Sequence, residues 1–330
     1  MLSQKEIISK LLEPSSYPHE VTKKIELIET NISWIFLTGV FAYKMKKAIK
    51  FGDVLDFSTI EKREQACKDE IKLNKRLAPS IYLDVERLNQ ESIIDSSTKN
   101  PIEHLVKMKE LPQDSLLSNK INKEKSLKES TIVQIAKTIA QFHQKNTVQP
   151  DFSVFDNIFE KWDENFRTTE TYPNFPFDQR LKERVYQFLE KNRSFWQDRK
   201  MSGKIVDGHG DLILSNIFEI NEKIIIFDCI EFNESLRIQD VLEEITFLAM
   251  DLDFWGLNQL SDLFIQSYLA AIGDTMSHSS PFIQFYKSYR AYVRAKVYCS
   301  LSIQEKSFEK LEHLQKLINK YMNLSSSYKF

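Results

Sequence analysis

Residues 207–232 hold the side chains best suited to chemistry. They read Asp207-Gly208-His209-Gly210-Asp211-Leu-Ile-Leu-Ser-Asn216 and, after a short apolar run, Phe227-Asp228-Cys229-Ile230-Glu231-Phe232. An Asp, an Asn five residues on and a second Asp after a strand stand in the order used by magnesium-dependent phosphoryl transfer. The first Asp takes the proton of the attacking hydroxyl. The Asn and the second Asp hold the metal on the nucleotide phosphates. Such a string is short enough to arise by chance in an Asp-rich chain, and the apolar strand ending in Asp228 is what adds weight to it. Residues Ile217–Ile220 and Lys223–Phe227 predict a hairpin turned at Asn221-Glu222, which would bring Asp228 back toward Asn216 and Asp211.

Other elements must supply the nucleotide-binding part. Strands are expected at Ser33–Leu37, Phe41–Lys47, Ile81–Leu88 and Ile102–Glu110, with a turn at Thr38-Gly39. Ser58-Thr-Ile-Glu61 fits a capping box, with Ser58 as N-cap of a helix running to about Leu77, before Pro79. Beyond residue 112 helices dominate. They are expected at Ser130–Gln144, Leu181–Arg199, Val241–Asp251, Leu257–Ile272, Pro281–Gln304 and Ser307–Leu324, while 151–180 reads as aromatic-rich and irregular. The expected organisation is a strand-rich N-terminal part, 1–112, and a helical part, 113–330, that carries the catalytic loop and hairpin.

Composition narrows the classes. The 330 residues are 42% hydrophobic and 28% charged, an ordinary globular balance. With 45 basic and 47 acidic side chains, nothing draws the chain in bulk to nucleic acid or acidic membranes. There are only seven glycines, and neither a G-x-x-x-x-G-K-[ST] nor a G-x-G-x-x-G string occurs, which argues against P-loop and dinucleotide-binding enzymes. Three scattered cysteines suggest a reducing compartment without a zinc site. The start lacks a signal peptide's apolar core, and no run approaches the roughly 20 apolar residues of a membrane span. A cytoplasmic protein is the expectation.

The strings Tyr43-Lys44-Met-Lys46-Lys47, His209–Asn216 and Phe227–Asn233 resemble the aminoglycoside phosphotransferase-like family of the protein-kinase-like superfamily, and in it an uncharacterised bacterial group. Lys107-Met108-x-x-Leu111-Pro112 and Tyr289–Lys296 extend the likeness over about residues 30 to 300. The resemblance implies an α+β, bilobal, protein-kinase-like fold with ATP in the cleft. It implies Asp211 as catalytic base and Asn216 and Asp228 as Mg2+ ligands, with His209 orienting the loop. It also implies a strand lysine on the α/β-phosphates, paired with a helix glutamate. Lys44 and Lys46 lie on one face of their strand. Lys44 is favoured because Ala42, two residues earlier, is the small residue such strands place against adenine. Glu70 is the natural partner, and Val106–Met108 would form the hinge beside adenine.

Around this set, Asp240 reads as support for the catalytic-loop backbone and Glu231 as a loop salt bridge. His143 reads as a packed core histidine. Lys287, Arg290 and Arg294 form a stripe read as a solvated face more often than an acceptor contact. Two positions depart from the group: Ile213 and Ser215 stand where it carries His and Arg. Members are often fused to a P-loop domain, of which these residues hold no sign. The implied activity is ATP- and Mg2+-dependent phosphorylation of a hydroxyl on a small molecule. The competing readings are a pseudokinase that binds nucleotide or acts as a scaffold without turnover, and the same fold transferring a nucleotidyl group or phosphorylating protein.

Overall fold

Alternation along the N-terminal strands produces a sheet with two different faces, and that difference positions the charged groups. The computed structural model describes residues 2–52 and 54–330. Met1 and Asp53, both inside the expected N-terminal part, lie outside the described residues. The chain divides into two compact units, Met1–Leu116 with Ile225–Leu236, and Leu117–Ile224 with Arg237–Phe330.

In the first unit α1 (Gln4–Leu11) precedes β1 (Glu26–Glu29), β2 (Ser33–Leu37) and β3 (Phe41–Lys46). The two-residue strands β4 (Lys50–Phe51) and β5 (Leu55–Asp56) lead into α2 (Ile60–Asn74), which is followed by β6 (Tyr82–Leu88) and β7 (Glu103–Lys109). Five strands make an antiparallel sheet in the order β1-β2-β3-β7-β6. Side chains alternate along a strand, so β3 sends Tyr43 and Met45 to one face. They pack there with Ile7, Leu11, Tyr17 and Phe36. Ala42 packs on the other face with Cys67 of α2, Val106 and Met108 of β7, and the partly buried Ile225 and Phe227. By the same alternation Lys44 and Lys46 share that second face with α2.

Helix α2 buries Arg63, Ala66, Cys67, Glu70 and Asn74, a helical stripe that turns Glu70 toward the two lysines. Its start lies one residue beyond the sequence reading. Thr59, not Ser58, is the N-cap, accepting from Lys62 N–H at 3.3 Å. Ser58 is drawn away because its N–H and hydroxyl both donate to Asp56 Oδ1, at 3.1 and 2.6 Å.

The second unit runs α3 (Leu117–Glu124), α4 (Glu129–Lys145), α5 (Val154–Glu170), α6 (Gln179–Lys191), α7 (Arg193–Met201), β8 (Ile205–Asp207) and β9 (Ile217–Ile220). β10 (Lys223–Ile226) crosses the unit boundary, and β11 (Ile238–Asp240), α8 (Val241–Phe254), α9 (Asn258–Ala271), α10 (Pro281–Gln304) and α11 (Phe308–Ser327) complete it. β9 and β10 form the expected hairpin. Asn221 and Glu222 have φ of +48° and +61°, the two left-handed residues of a tight hairpin turn. Helix α8 is buried at every position from Val241 to Leu252, and β8 pairs antiparallel with β11 just before it.

Three expectations are corrected in this unit. The segment 151–180 contains a full helix, α5, capped by Ser153 and buried through Phe155, Ile158, Trp162, Phe166 and Thr169. The helix expected over 181–199 is two, parted at Asn192, whose φ/ψ of −116°/23° leaves the helical region. The basic stripe on α10 is not a solvated face: Lys287 and Arg290 are buried. Lys287 bonds Asp253 at 2.9 Å and Ser261 at 2.8 Å. Arg290 bonds Gln239 and the Glu243 carbonyl, and Arg294 donates to Tyr298 Oη at 2.8 Å.

Candidate active site

In the first unit the sheet face under α2 gathers five charged groups. Lys44 Nζ donates to Glu70 Oε1 at 2.9 Å and to Asp228 Oδ1 at 2.5 Å. Lys46 Nζ donates to Glu70 Oε2 and to Glu231 Oε1. Glu70 thus serves both lysines, one with each oxygen. Lys44, Lys46, Glu70 and Glu231 are buried, whereas 39% of the Asp228 side chain is exposed. Burial pulls both ammonium pKa values down, but the carboxylates outweigh it and hold each above the usual lysine value.

The backbone that presents Asp228 is held as well as its side chain. Asp228 has a φ of +64°, a conformation that costs a non-glycine residue of order 1–3 kcal/mol and needs support from its surroundings. Its N–H donates to Tyr82 Oη at 3.2 Å, and the next N–H, of Cys229, donates to Asn74 Oδ1 at 2.9 Å. Tyr82 and Asn74 are supports the sequence reading did not identify. Asn74 had a visible signal, lying on the Glu70 stripe one helical turn on. Val106–Met108, expected as a hinge, instead lies inside β7, an interior strand, with Val106 and Met108 opposite Lys44 and Ala42 of β3 and paired on the other edge with β6, so that their backbone groups serve the sheet. Both side chains are buried.

In the second unit the loop after β8 is tied down through its amides. Glu244 of α8 accepts from His209 N–H at 2.9 Å and from Gly210 N–H at 3.2 Å. Asp251, two turns further along α8, accepts from Leu214 N–H at 2.9 Å. The support expected from Asp240 therefore comes from Glu244. Asp240 instead caps α8 through Leu242 N–H at 2.8 Å and grips Arg199 with both oxygens, at 2.8 and 2.7 Å. Gly210 has a φ of +85°, which favours glycine there. Gly208 is forced by space, since a Cβ would lie 2.5 Å from Glu244 Oε2.

That loop orients the side chains of Asn216 and His209. Asn216 Nδ2 donates to the Asp211 carbonyl and to Asp211 Oδ2, each at 2.9 Å. Both partners are acceptors, so the amide orientation is fixed and Oδ1 of Asn216 faces elsewhere. His209 is fully buried and accepts the Asp211 N–H on Nδ1 at 3.3 Å. His143 is a packed core histidine bonded to Tyr268 Oη at 2.6 Å, and burial pushes its pKa down to about 3. Burial likewise pushes Asp251 up to about 6. Ile213 is buried and Ser215 exposed.

The donor chemistry suits a hard cation. Asp228 offers a partly exposed carboxylate and Asn216 an amide oxygen, both of the ligand type Mg2+ prefers. Among the described residues no group of three or more His, Cys, Asp or Glu could hold a metal. Mg2+ bound through one or two protein oxygens plus substrate phosphates needs no such cage. Among the described residues no helix is long and apolar enough to cross a membrane.

No family model matches the sequence. A Mycobacterium tuberculosis protein, described as uncharacterised, is 32% identical over 290 residues, 85% of this chain and 56% of that protein. A Mycobacterium bovis protein matches to the same extent. The chain spans about half the length of the curated relatives it matches. A choline kinase from Cryptosporidium parvum shares the fold with a TM-score of 0.55 and 14% identity, over 98% of this chain and 96% of that one. An aminoglycoside phosphotransferase solved with GDP and kanamycin gives 0.57 and 12%, over 97% and 98%. An amicoumacin kinase solved with AMP-PNP and Ca2+ gives 0.57 and 12%, over 98% and 94%. At these identities the likeness is one of fold: the chain has the protein-kinase-like fold of small-molecule kinases.

Proposed function

We propose that this chain is an ATP- and Mg2+-dependent phosphotransferase that moves the γ-phosphoryl group to a hydroxyl of a small molecule. The observation that carries the reading is buried Lys44, bonded at once to Glu70 and Asp228. A buried ionic cluster is a poor way to gain stability, because apolar side chains of the same volume usually do as well or better. Charge kept at such a place fits a site that handles charge.

Asp211 acts as base. Asn216 occupies its Oδ2, which leaves Oδ1 to take the hydroxyl proton as the new O–P bond forms and the bond from the γ-phosphorus to the departing ADP breaks. His209, through Nδ1, holds the Asp211 backbone that presents this carboxylate. Lys44, steadied by Glu70, turns from Asp228 to the α/β-phosphates, and Val106 and Met108 lie by the adenine. Asn216 and Asp228 hold Mg2+, which when bound neutralises charge on the phosphates. The named activities of the structural relatives, a choline kinase and an amicoumacin kinase among them, support a small-molecule acceptor. Three buried free cysteines fit a reducing, cytoplasmic setting.

The test is the melting temperature with ATP, with and without Mg2+, for wild type and Asp228→Asn. A ligand at a hundred times its Kd stabilises by about 2.7 kcal/mol. The expected result is a Mg2+-dependent rise that Asp228→Asn loses. Asp211→Asn should keep that rise and lose turnover by about 10²–10⁴-fold. No rise with millimolar ATP or GTP would sink the reading. A rise without turnover on any acceptor would favour a nucleotide-binding pseudokinase, and a gain of AMP mass on the acceptor would mark nucleotidyl transfer.

A further inference from the structure

The charged cluster under α2 holds, beside Lys44 and Glu70, a lysine–glutamate pair for which the proposed reaction has no direct use. Lys46 is fully buried and joins Glu70 to Glu231, whose side chain is 3% exposed. Neither group is open to a phosphate or a metal. Lys44 and Asp228 are different. They bond each other at 2.5 Å, and the Asp228 side chain is 39% exposed. For Lys44 to face phosphate and Asp228 to face metal, their mutual contact must open. Opening it removes the Lys44 contact from Asp228, whose backbone is left-handed, with a φ of +64°.

We propose that Lys46 and Glu231 are positioning residues, forming an ion pair that stays closed and holds the 228–232 segment against Glu70 while the Lys44–Asp228 contact is exchanged for nucleotide and metal. The proposal rests on the reading that Asp228 carries the metal. Two features of the charge arrangement support it. Glu70 binds one lysine with each oxygen, so when Lys44 swings away Glu70 still has Lys46. Glu231 lies three residues after Asp228, so fixing it limits the travel of the loop. Other ties in the segment include neutral hydrogen bonds to backbone, from Asp228 N–H to Tyr82 Oη and from Cys229 N–H to Asn74 Oδ1, and a bond from Arg76 Nη2 to Cys229 Sγ at 3.4 Å. The Lys46–Glu231 tie joins two charged groups and is stronger than either neutral backbone bond.

The test titrates Mg2+ into protein saturated with ATP, followed by thermal stability and calorimetry, for wild type, Glu231→Gln, Asp228→Asn and Lys44→Met. Residues that orient a metal ligand typically change metal affinity by about 10–100-fold when removed. Glu231→Gln should bind metal-free ATP within about twofold of wild type and weaken Mg2+ at least tenfold. Lys44→Met should instead weaken ATP itself. A Glu231→Gln protein with wild-type Mg2+ affinity overturns this inference while the functional reading stands. A Mg2+ effect that survives Asp228→Asn overturns the metal assignment, and this inference with it. If Glu231→Gln does not fold, amide exchange of wild-type residues 228–233 decides. Protection already present without ligand and unchanged by Mg2+ and ATP is expected, and protection that appears only with ligand overturns the closed pair.

Discussion

Gly208→Ala is a sharp test of how the loop after β8 is held. An added Cβ would lie 2.5 Å from Glu244 Oε2 and 2.9 Å from its Cδ. The carboxylate cannot step aside freely. It is 1% exposed and accepts from the amides of His209 and Gly210. Its Oε2 also takes the side-chain amide of Gln239, which Arg290 pins from the other end. If the structure absorbs the clash by local shifts, overpacking costs about 1–3 kcal/mol. If Glu244 is displaced, two backbone N–H groups lose their acceptor at about 1–3 kcal/mol each. The expected loss is therefore about 2–5 kcal/mol, or roughly 5–15 °C for a unit of this size. Turnover should fall at least in step, because the same amides set the Asp211 backbone. The assay is chemical denaturation read at constant m, with Glu244→Asp as second background. The shorter acid withdraws from the new methyl, so the double variant should recover at least about 1 kcal/mol relative to additivity. A Gly208→Ala protein within about 0.5 kcal/mol of wild type, or strict additivity with Glu244→Asp, would refute the steric argument.

Two further predictions concern the same unit. Burial holds Asp251 at about 6, above its ordinary 3.8. The folded state then binds more protons than the unfolded chain between about pH 4 and 6, so this group's share of stability falls as pH rises through that window, by about 3 kcal/mol, and is level above it. Asp251→Asn keeps an oxygen for Leu214 N–H. Denaturation at pH 4.5 and 7 should show the variant gaining on wild type at the higher pH, and an unchanged difference would count against the buried, proton-binding carboxyl. Asp240→Ala removes the α8 cap and takes from Arg199 its two-oxygen partner, while the Asp274 contact at 3.1 Å remains. Truncating one partner of a buried ion pair costs about 3–5 kcal/mol. Asp274→Ala should cost clearly less, and equal losses in urea midpoint would contradict the assigned roles.

Local elements were legible where local chemistry determines them. The strands Ser33–Leu37 and Phe41–Lys46 follow from alternation and the Thr38-Gly39 turn, and the Asn221-Glu222 hairpin from turn residues. Lys44 and Lys46 could be placed on one face from their spacing, and Glu70 on a helical stripe. The α5 helix was also encoded, with Ser153 as cap and Phe155, Ile158, Trp162 and Phe166 at helical intervals. The aromatic run Tyr172–Phe177 that follows hides it, because it continues the aromatic density without the period.

What the sequence could not supply is the choice among residues that local spacing makes equivalent. Asp240 and Glu244 are one turn apart, so periodicity puts both on one side of the chain near the loop. Only the meeting of β8 with β11 decides that Arg199 claims Asp240 and the loop amides claim Glu244. The stripe Lys287, Arg290 and Arg294 is the same case on a larger scale. Its spacing is that of a solvated face, yet the partners that bury it, Asp253 and Glu243, lie far away in sequence on α8. Spacing likewise puts Lys44 and Lys46 on one face without showing that a single glutamate takes both, one with each oxygen. Sequence periodicity assigns a charge to a face. Which counter-charge meets it there is decided by tertiary register, and at this site that register separates an ion pair that must open from one that can stay closed.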